Sequence, residues 1–460
     1  MSLISSLIRK TTLPWYWKRT NEHRQLDYLD DFQKYDKMSA YDLAKIQRAA
    51  FDKMITHIYN NCPYYNKIFR KLGITPVDIG SFADLRQFPV LTKELIRENM
   101  NDILAENYSQ SRRDKSSTGG STGEPLTFWR DYECRDKKQA MHLNFKRWYG
   151  YLPGDKQVYF WGALQDFDQK QTLKSRLARS LATRSWFITS QDIESANFAR
   201  TVKMIRRLKP KLVLAYPNII YTFARKVVQK KLHLKFDTIV CSAEQFFDYQ
   251  REFLIETFDA QVFEKYGSRE IGTIASECHK HRGMHYFLPG LYLETVDQNG
   301  NPAGAEMGKL LVTDLWNFAM PLIRYEVGDL VRLDHSDCPC GCKLPRIAKV
   351  AGRVVDTIVK PNGEMIAGQA LIKVIRKSEV PYKTQIIQKK PDHFEIRYES
   401  QTEMAEDKKN YIRSSYAEIF GQAVHIDFLR VDKIEREKSG KFRYIKSEIE
   451  SPYSTKIEAP

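Results

Sequence analysis

The chain has 460 residues, more than one compact core normally holds, so we expect two or more domains. Its 42% hydrophobic and 28% charged residues are ordinary for a globular protein, and a net charge of +16 favours an anionic partner: nucleotide, coenzyme A, acidic glycan, nucleic acid or membrane surface. No run of about 18 apolar residues occurs, which excludes a membrane-spanning helix, and the seven cysteines lack the dense pattern of a disulfide-stapled secreted domain, so a reducing cytoplasm is expected.

Residues 1–19 combine apolar and basic side chains. The apolar residues around Leu3 and Leu7 precede the charges that begin at Arg9, which is the reverse of the order in a secretory signal peptide. We expect a helix whose apolar side packs on the protein. A helix lying in a membrane interface is the alternative.

The next predicted elements are helical. Residues 41–60 have apolar side chains at helical spacing, and a short helix over 93–99 is expected to begin after the capping residue Thr92. Residues 116–125 are almost without apolar content and predict a loop. Residues 126–129 are typical of a strand.

Short apolar runs then alternate with helical stretches. Strands are predicted over 158–161, 212–216 and 238–241, with helices over 196–208 and 219–230. This alternation is typical of an α/β fold with a largely parallel sheet.

The pattern changes from about residue 290. Residues 291–296 and 309–314 flank the turn-rich stretch 297–302, which predicts a β-hairpin layer. After Arg353 a small α+β domain follows, with its helices over 368–377 and 408–419 and its strands over 355–360, 384–388, 394–398 and 424–429. We therefore predict a large N-terminal domain over 1–353 and a small mobile C-terminal domain over 354–460.

The loop Thr118-Gly119-Gly120-Ser121-Thr122-Gly123-Glu124-Pro125 is the first candidate for chemistry. Its glycines let backbone N–H groups turn inward and its hydroxyls add donors, so it can hold phosphate oxygens. It is not a P-loop, because no lysine follows the last glycine. A flexible Gly/Ser linker is the alternative.

Four further motifs follow in order. Tyr266-Gly267-Ser268-Arg269-Glu270 is expected to place a carboxylate just past a tight glycine turn. Asp329 is expected at a turn before a strand over 330–333. The other two are Gly352-Arg353-Val354-Val355-Asp356 and Lys438-Ser439-Gly440-Lys441-Phe442-Arg443.

This ordered set resembles the adenylate-forming superfamily, within it the phenylacetate–CoA ligase group, including relatives from capsular-polysaccharide biosynthesis. The resemblance extends from about residue 40 to 445. It also includes Ser242-Ala243-Glu244, Ser276-Glu277-Cys278, Gly283-Met284-His285 and Cys338-Pro339-Cys340-Gly341.

The resemblance implies a role for each nucleotide-binding motif. The loop 118–123 would hold the β- and γ-phosphates of ATP, and Glu270 would ligate Mg²⁺. Asp329 would accept hydrogen bonds from the ribose hydroxyls, and Arg353 would reach the ribose or phosphates. The adenine would be bordered by Ser242, Ala243, Glu244, Tyr266 and Gly267, and Ser268 and Arg269 would also belong to the nucleotide-binding residues.

Lys441 corresponds to the mobile lysine of the C-terminal domain, which stabilises charge on the α-phosphoryl group during adenylation. Asp356 corresponds to the hinge about which that domain rotates. Three residues depart from the common pattern of the superfamily. Glu124 replaces a lysine, Gly119 a serine and Arg269 a threonine.

A cysteine and histidine cluster suits tetrahedral zinc. The proposed ligands are Cys278, His285, Cys338 and Cys340, with Cys342, His279 and His281 as spare candidates. The resemblance implies the same structural zinc. Free thiols in a turn-rich region are the alternative.

Two functions share all these motifs. The first is activation of a small carboxylic acid as acyl-AMP, followed by transfer to coenzyme A. The second transfers the acyl group to an amine or hydroxyl, for example on a sugar nucleotide or glycan. A zinc-containing nucleic-acid binder is disfavoured, because lysine and arginine are spread along the whole chain. Membrane association is expected to be peripheral at most. A homodimer is one possible oligomeric state.

Overall fold

The computed structural model describes residues 3–20, 24–118, 125–161, 180–189, 192–193, 197–354, 357–366, 368–378, 380, 383–435, 442–449 and 453. The helices are α1 (Leu3–Lys10), α2 (Thr12–Arg19), α3 (Gln25–Tyr35), α4 (Ala40–Asn61), α5 (Pro63–Leu72), α6 (Lys93–Glu98), α7 (Met100–Ile103), α8 (Tyr132–Trp148), α9 (Phe198–Leu208), α10 (Pro217–Gln229), α11 (Asp248–Phe258), α12 (Gln369–Lys377) and α13 (Glu406–Phe420). Short 3-10 helices occupy Pro76–Asp78, Phe82–Gln87, Gln110–Arg112 and Leu288–Gly290.

The first strands are β1 (Arg113–Ser117), β2 (Thr127–Asp131), β3 (Gln157–Phe160), β4 (Ser185–Ile188), β5 (Leu212–Ala215), β6 (Thr238–Ser242), β7 (Gln261–Ser268), β8 (Gly272–Glu277) and β9 (Met284–Tyr286). They are followed by β10 (Leu291–Val296), β11 (Gly308–Asp314), β12 (Tyr325–Asp334), β13 (Arg346–Arg353), β14 (Ile358–Val359), β15 (Met365–Ile366), β16 (Thr384–Lys390), β17 (His393–Glu399), β18 (His425–Val431) and β19 (Ile445–Ser447).

One mixed sheet of 11 strands organises the large N-terminal part, in the order β10-β11-β12-β13-β9-β8-β7-β6-β5-β3-β4. The strands from β4 through β7 are parallel, and those from β7 through β10 are antiparallel. The predicted α/β fold is confirmed. The expected β-hairpin layer is not separate, because β9 pairs with both β8 and β13 and so joins it to the parallel strands.

The predicted helices follow local signals. The α4 helix begins after Ser39, whose hydroxyl accepts a hydrogen bond from the Asp42 N–H at 3.1 Å, and it buries one apolar face that includes Met54 and Ile58. The α6 helix begins after Thr92, as expected, because the threonine hydroxyl accepts a hydrogen bond from the Leu95 N–H at 3.3 Å.

The chain from Ile358 onward forms its own sheet, in the order β18-β17-β16-β19, covered by α12 and α13. Its core contains Phe394, Ile396, Tyr398 and Tyr416, all fully buried. This agrees with a small α+β C-terminal domain, although the boundary at 353/354 stays a prediction.

The N-terminal helices differ from expectation. In α2, Leu13 and Trp17 are buried, as predicted for a helix packed on the protein. In α1, however, Leu3, Ile4 and Leu7 are 89%, 60% and 62% exposed. No helix within the described ranges is long and apolar enough to cross a membrane.

Candidate active site

The turn between β7 and β8 carries Glu270. The sequence predicted a tight turn at Gly267, but this residue lies inside β7, opposite Thr273, and the left-handed glycine of the turn is Gly272 with φ of 89°. A Cβ atom on Gly267 would collide with the carbonyl oxygen of Gly272. Glycine is therefore needed at 267 for close approach of two backbones, and at 272 for the turn itself.

Glu270 is a buried carboxylate with two partners. The Tyr325 hydroxyl donates to Glu270 Oε1 at 2.6 Å, and Lys93 Nζ lies 3.7 Å from the same oxygen. Burial acts to raise the pKa of Glu270, but Lys93, Tyr325 and Ser268 outweigh it and hold the pKa below its ordinary value. An ionised carboxylate kept out of bulk water is suited to a hard divalent cation.

Two elements bring these partners to Glu270. Leu91 forms a parallel bridge with Tyr325, which places the start of α6, and with it Lys93, beside the β12 strand. No sequence motif pointed to Lys93 as a partner of Glu270. Tyr325 lies four residues before Asp329, but its role depends on a hydrogen bond to a residue 55 positions away in the chain.

Asp329 lies within β12. The strand begins at Tyr325, so the predicted turn before residue 330 is wrong; a bulge at Gly328, with φ of 89°, shifts the register instead. The Tyr266 hydroxyl donates to Asp329 Oδ2 at 2.6 Å, and Arg353 is the cross-strand partner of Asp329. Burial, and then the Asp329 carboxylate, hold the pKa of Tyr266 well above its ordinary value, so its hydroxyl remains a donor.

The residues at the base of the glycine-rich loop are hydrogen-bonded to the turn that carries Glu270. Thr118 closes the β1–β2 hairpin: its N–H donates to the Leu126 carbonyl at 2.9 Å, and its hydroxyl accepts from the Leu126 N–H at 2.8 Å. Arg269 donates to the carbonyl of Ser117 at 3.0 Å. The loop residues Gly119, Gly120, Ser121, Thr122, Gly123 and Glu124 lie outside the described residues.

The segment Ser242-Ala243-Glu244 follows β6. Ala243 has φ of 73°, a left-handed conformation that is unfavourable for a residue with a Cβ and is common at functional sites. Glu244 accepts from the backbone N–H of Asn218 at 3.2 Å and of Phe442 at 3.1 Å, so it joins the N-terminal part to the C-terminal domain. Lys441 and Asp356 lie outside the described residues.

The cysteine and histidine cluster comes together as predicted. The ligand atoms of Cys278, His285, Cys338 and Cys340 all lie within 4.8 Å of one another. The Cys278 and Cys338 sulfurs are 3.8 Å apart, about the spacing of two sulfurs on one tetrahedral zinc. His285 donates through Nδ1 to the Leu344 carbonyl at 2.6 Å, which leaves Nε2 facing Cys340 Sγ at 3.3 Å.

The spare candidates lie elsewhere. Cys342 packs in a hydrophobic cluster, His279 is exposed, and His281 contacts Glu277 at 3.1 Å. The other three cysteines, Cys62, Cys134 and Cys241, are buried free thiols.

Comparison with known proteins agrees with this geometry. The family described as the CapK C-terminal domain matches residues 358–448. Protein CapK of Staphylococcus aureus is 25% identical over 412 residues, covering 88% of this chain and 89% of the relative. The phenylacetate-coenzyme A ligase of Escherichia coli strain K12 is 26% identical over 333 residues, covering 70% of this chain and 73% of the ligase.

A solved structure has the same fold. The crystal structure of 2-hydroxyisobutyryl-CoA ligase in the postadenylation state, in complex with R3-HIB-AMP, aligns with a TM-score of 0.72 at 19% identity, covering 90% of this chain and 91% of that one. The chain is thus a homologue of CapK and of the phenylacetate–coenzyme A ligases, and it has the fold of the adenylate-forming ligases.

Proposed function

We propose that the protein activates a carboxylic acid with ATP and transfers the acyl group to coenzyme A. A carboxylate oxygen attacks the α-phosphorus, the bond to the bridging oxygen breaks, and pyrophosphate leaves as acyl-AMP forms. The thiolate sulfur then attacks the acyl carbon and AMP leaves. The observation that carries this proposal is that three of the motifs lie close together at one end of the sheet. The motif 266–270 contains Glu270, contacts Asp329 through the Tyr266 hydroxyl, and contacts Ser117 at the base of the glycine-rich loop through Arg269.

The side chains divide the work by their chemistry. Glu270 would ligate Mg²⁺, which supplies charge neutralisation at the pyrophosphate leaving group. Asp329 would accept from the ribose hydroxyls, with Tyr266 fixing its orientation. The loop 118–123 would bind phosphates through backbone and hydroxyl donors, and Arg353 would lie beside the ribose.

Lys441 would stabilise the charge that accumulates on the α-phosphoryl oxygens, and Asp356 would act as the hinge. The contact between Glu244 and Phe442 supports this assignment, because Phe442 directly follows Lys441 in the chain. Rotation of the C-terminal domain would withdraw the lysine after adenylation and admit the acceptor.

The alternative acceptor is an amine or hydroxyl, for example on a sugar nucleotide or glycan. The match to CapK supports it, since it covers 88% of the chain compared with 70% for the Escherichia coli ligase. A cavity of about 650 Å³ between α10 and the C-terminal domain is lined by Arg225, Arg376 and Lys408 among others. One carboxylate, Glu403, also lines the cavity, so its net charge is positive. This favours an acceptor that carries several phosphates, such as coenzyme A or a sugar nucleotide.

We also propose a structural zinc ion bound by Cys278, His285, Cys338 and Cys340. Four protein donors would complete a tetrahedral site and leave no position for a reacting water, so the ion would hold β8, β9 and the 338–342 loop together.

Acid-dependent ATP–pyrophosphate exchange across a panel of carboxylic acids tests the central proposal, with products followed by mass spectrometry with and without coenzyme A. Glu270→Gln should lower exchange by roughly 10- to 100-fold, whereas exposed Glu306→Gln should not. Absence of exchange with every acid, together with salt-dependent binding of DNA or RNA, would favour the nucleic-acid alternative.

A further inference from the structure

One face of β7 and β8 is covered by α8 and the residue that follows it. The rings of Tyr149 and Phe263 lie 4.6 Å apart, and the Tyr149 hydroxyl is hydrogen-bonded to Ser276 Oγ. His142 Nδ1 lies 3.3 Å from Thr273 Oγ1. The helix therefore runs along this face of the two strands.

Lys265 belongs to the same face. It follows Phe263 by two residues on β7, and it is the cross-strand partner of Ser276, so its side chain points toward α8. On α8, Lys146 follows His142 by four residues and lies on the same side of the helix. These three side chains define a basic recess: His142, Lys146 and Lys265.

Within the described part of the chain, no carboxylate lies at ion-pair distance from the lysines of the basic recess. Lys146 Nζ donates to Gln157 Oε1 at 2.9 Å and to the Tyr159 hydroxyl at 3.1 Å, both of which are neutral. Lys265 has no carboxylate at ion-pair distance among the residues that the structure describes. Two ammonium groups without a counterion among the described residues are unfavourable away from water, so a bound anion would stabilise their charged form.

The behaviour of the ionisable groups agrees with a recess and not with a sealed core. Burial lowers the pKa of both lysines to about 7, and it lowers the pKa of His142 well below its ordinary value. Yet Lys265 and His142 are only half-buried. The cluster is therefore largely desolvated without being fully closed to solvent.

The basic recess adjoins the proposed reaction centre. Lys265 lies two residues before Gly267 on the same face of β7, and Thr273 is the register partner of Gly267. Lys265 also pairs with Ser242, at the end of the β6 strand. The recess therefore lies beside Ser242 and Gly267, two of the residues assigned to the nucleotide, next to which the acid would bind.

We propose that the basic recess binds a second anionic group on the acid substrate, so that the preferred substrate carries a carboxylate, phosphate or sulfate in addition to the carboxyl that is activated. This inference rests on the proposed function. It excludes a simple aryl acid as the preferred substrate.

Matched acid pairs test it. Each pair contains one acid with a second anionic group and one with a neutral group of similar size, for example succinate with butyrate, or a phosphorylated hydroxy acid with its parent. In ATP–pyrophosphate exchange, kcat/KM should be at least about 10-fold higher for the anionic member of some pair. Lys265→Met or Lys146→Met should lower that value by roughly 10- to 100-fold, mainly through KM, and should not lower it for the neutral member.

Two controls separate charge from shape. Lys265→Arg should retain most of the preference, and Lys230→Met, at an exposed position, should retain all of it. Methionine removes a desolvated charge at either position, so Lys146→Met and Lys265→Met should both fold. Thermal denaturation checks this.

Calorimetry of acid binding gives a readout that does not depend on turnover. At pH 8 the protein should take up protons as the anionic acid binds, since the anion raises the pKa of the lysines from about 7. Binding without proton uptake, or an unchanged Kd in Lys265→Met, would overturn the inference. Preference for the neutral members would do the same while leaving the proposed function intact, whereas no activation of any acid would count against the proposed function.

Discussion

The Glu244 carboxylate accepts a hydrogen bond from the backbone N–H of Phe442 at 3.1 Å, across 198 positions of the chain. Its other oxygen accepts from the Asn218 N–H at the start of α10, at 3.2 Å. The Tyr444 hydroxyl adds a bond to the Asn218 side chain at 3.2 Å. These contacts hold the segment after Lys441 against the loop that follows β6.

Removing the Glu244 carboxylate should therefore loosen the C-terminal segment. We expect Glu244→Ala to speed tryptic cleavage after Lys438 or Lys441. We also expect it to lower the rate of ATP–pyrophosphate exchange by about 10-fold, because the variant loses a charged acceptor that two backbone N–H groups share. Glu252→Ala, at an exposed position on α11, is the matched control. An unchanged cleavage rate in Glu244→Ala would mean that the contact does not hold the segment.

Lys441→Ala should reduce exchange by about 10²- to 10³-fold or more, because an ammonium positioned at the developing phosphoryl charge is lost. ATP binding, measured by calorimetry, should change little. Exposed Lys433→Ala controls for loss of a positive charge from the same domain. Full exchange activity in Lys441→Ala would refute its assigned role.

Zinc removal should destabilise the protein without a direct effect on chemistry. We expect about one zinc per chain by elemental analysis, and its loss with a lowered Tm in Cys338→Ser. Cys342→Ala, which alters a neighbouring thiol outside the ligand group, should keep the metal. A Cys338→Ser protein with the same metal content as the parent would contradict the site.

The basic recess makes a prediction for stability against pH. Burial lowers the pKa of Lys146 and Lys265 to about 7, whereas an unfolded lysine titrates near 10.4. Between these values the unfolded chain binds more protons, so this contribution to stability rises with pH; below about 7 the folded state carries the full cost of two buried charges. Lys265→Met should therefore raise Tm relative to the parent, and more at pH 6 than at pH 9.5. A Tm difference that is constant over this range would show that Lys265 is not desolvated.

The orientation of α1 favours contact with an anionic membrane surface, which stays a prediction. Its polar side faces the protein: Ser5 accepts from Arg184 at 3.0 Å, and Arg9 donates to the Pro153 carbonyl at 2.8 Å. The apolar residues Leu3, Ile4 and Leu7 face outward, near the exposed Lys10.

Co-sedimentation with vesicles checks this prediction. Binding to anionic vesicles should exceed binding to neutral ones, fall with salt, and weaken when Leu3, Ile4 and Leu7 are replaced together by serine. Val77→Ser, which changes an equally exposed apolar residue elsewhere, should have no effect. Equal recovery with and without vesicles would exclude the surface as a lipid contact.

Much of the fold was predictable from local pattern. Leu212–Ala215 and Thr238–Ser242 are fully buried strands, and the short apolar run in each predicted a buried strand. The motif around Tyr266 and Glu270 and the cysteine and histidine cluster were also recognisable, because each is a short pattern of chemically distinctive residues. The turn was predicted at Gly267 and lies at Gly272. The sequence alone does not distinguish a glycine that is required for close approach of two backbones from one that is required for a turn.

The sequence by itself determined the order of the elements, the α/β class and the motifs proposed to bind the nucleotide, because these depend on residues close together in the chain. Only the tertiary structure decided that Lys93 and Tyr325 flank Glu270, that α1 turns its apolar side outward, and that His142 lies with Lys146 and Lys265. The physical reason is that such contacts are set by strand order and register. Lys265 lies beside Ser242 and Ser276 because β7 pairs with β6 on one side and with β8 on the other, and no local periodicity carries that information.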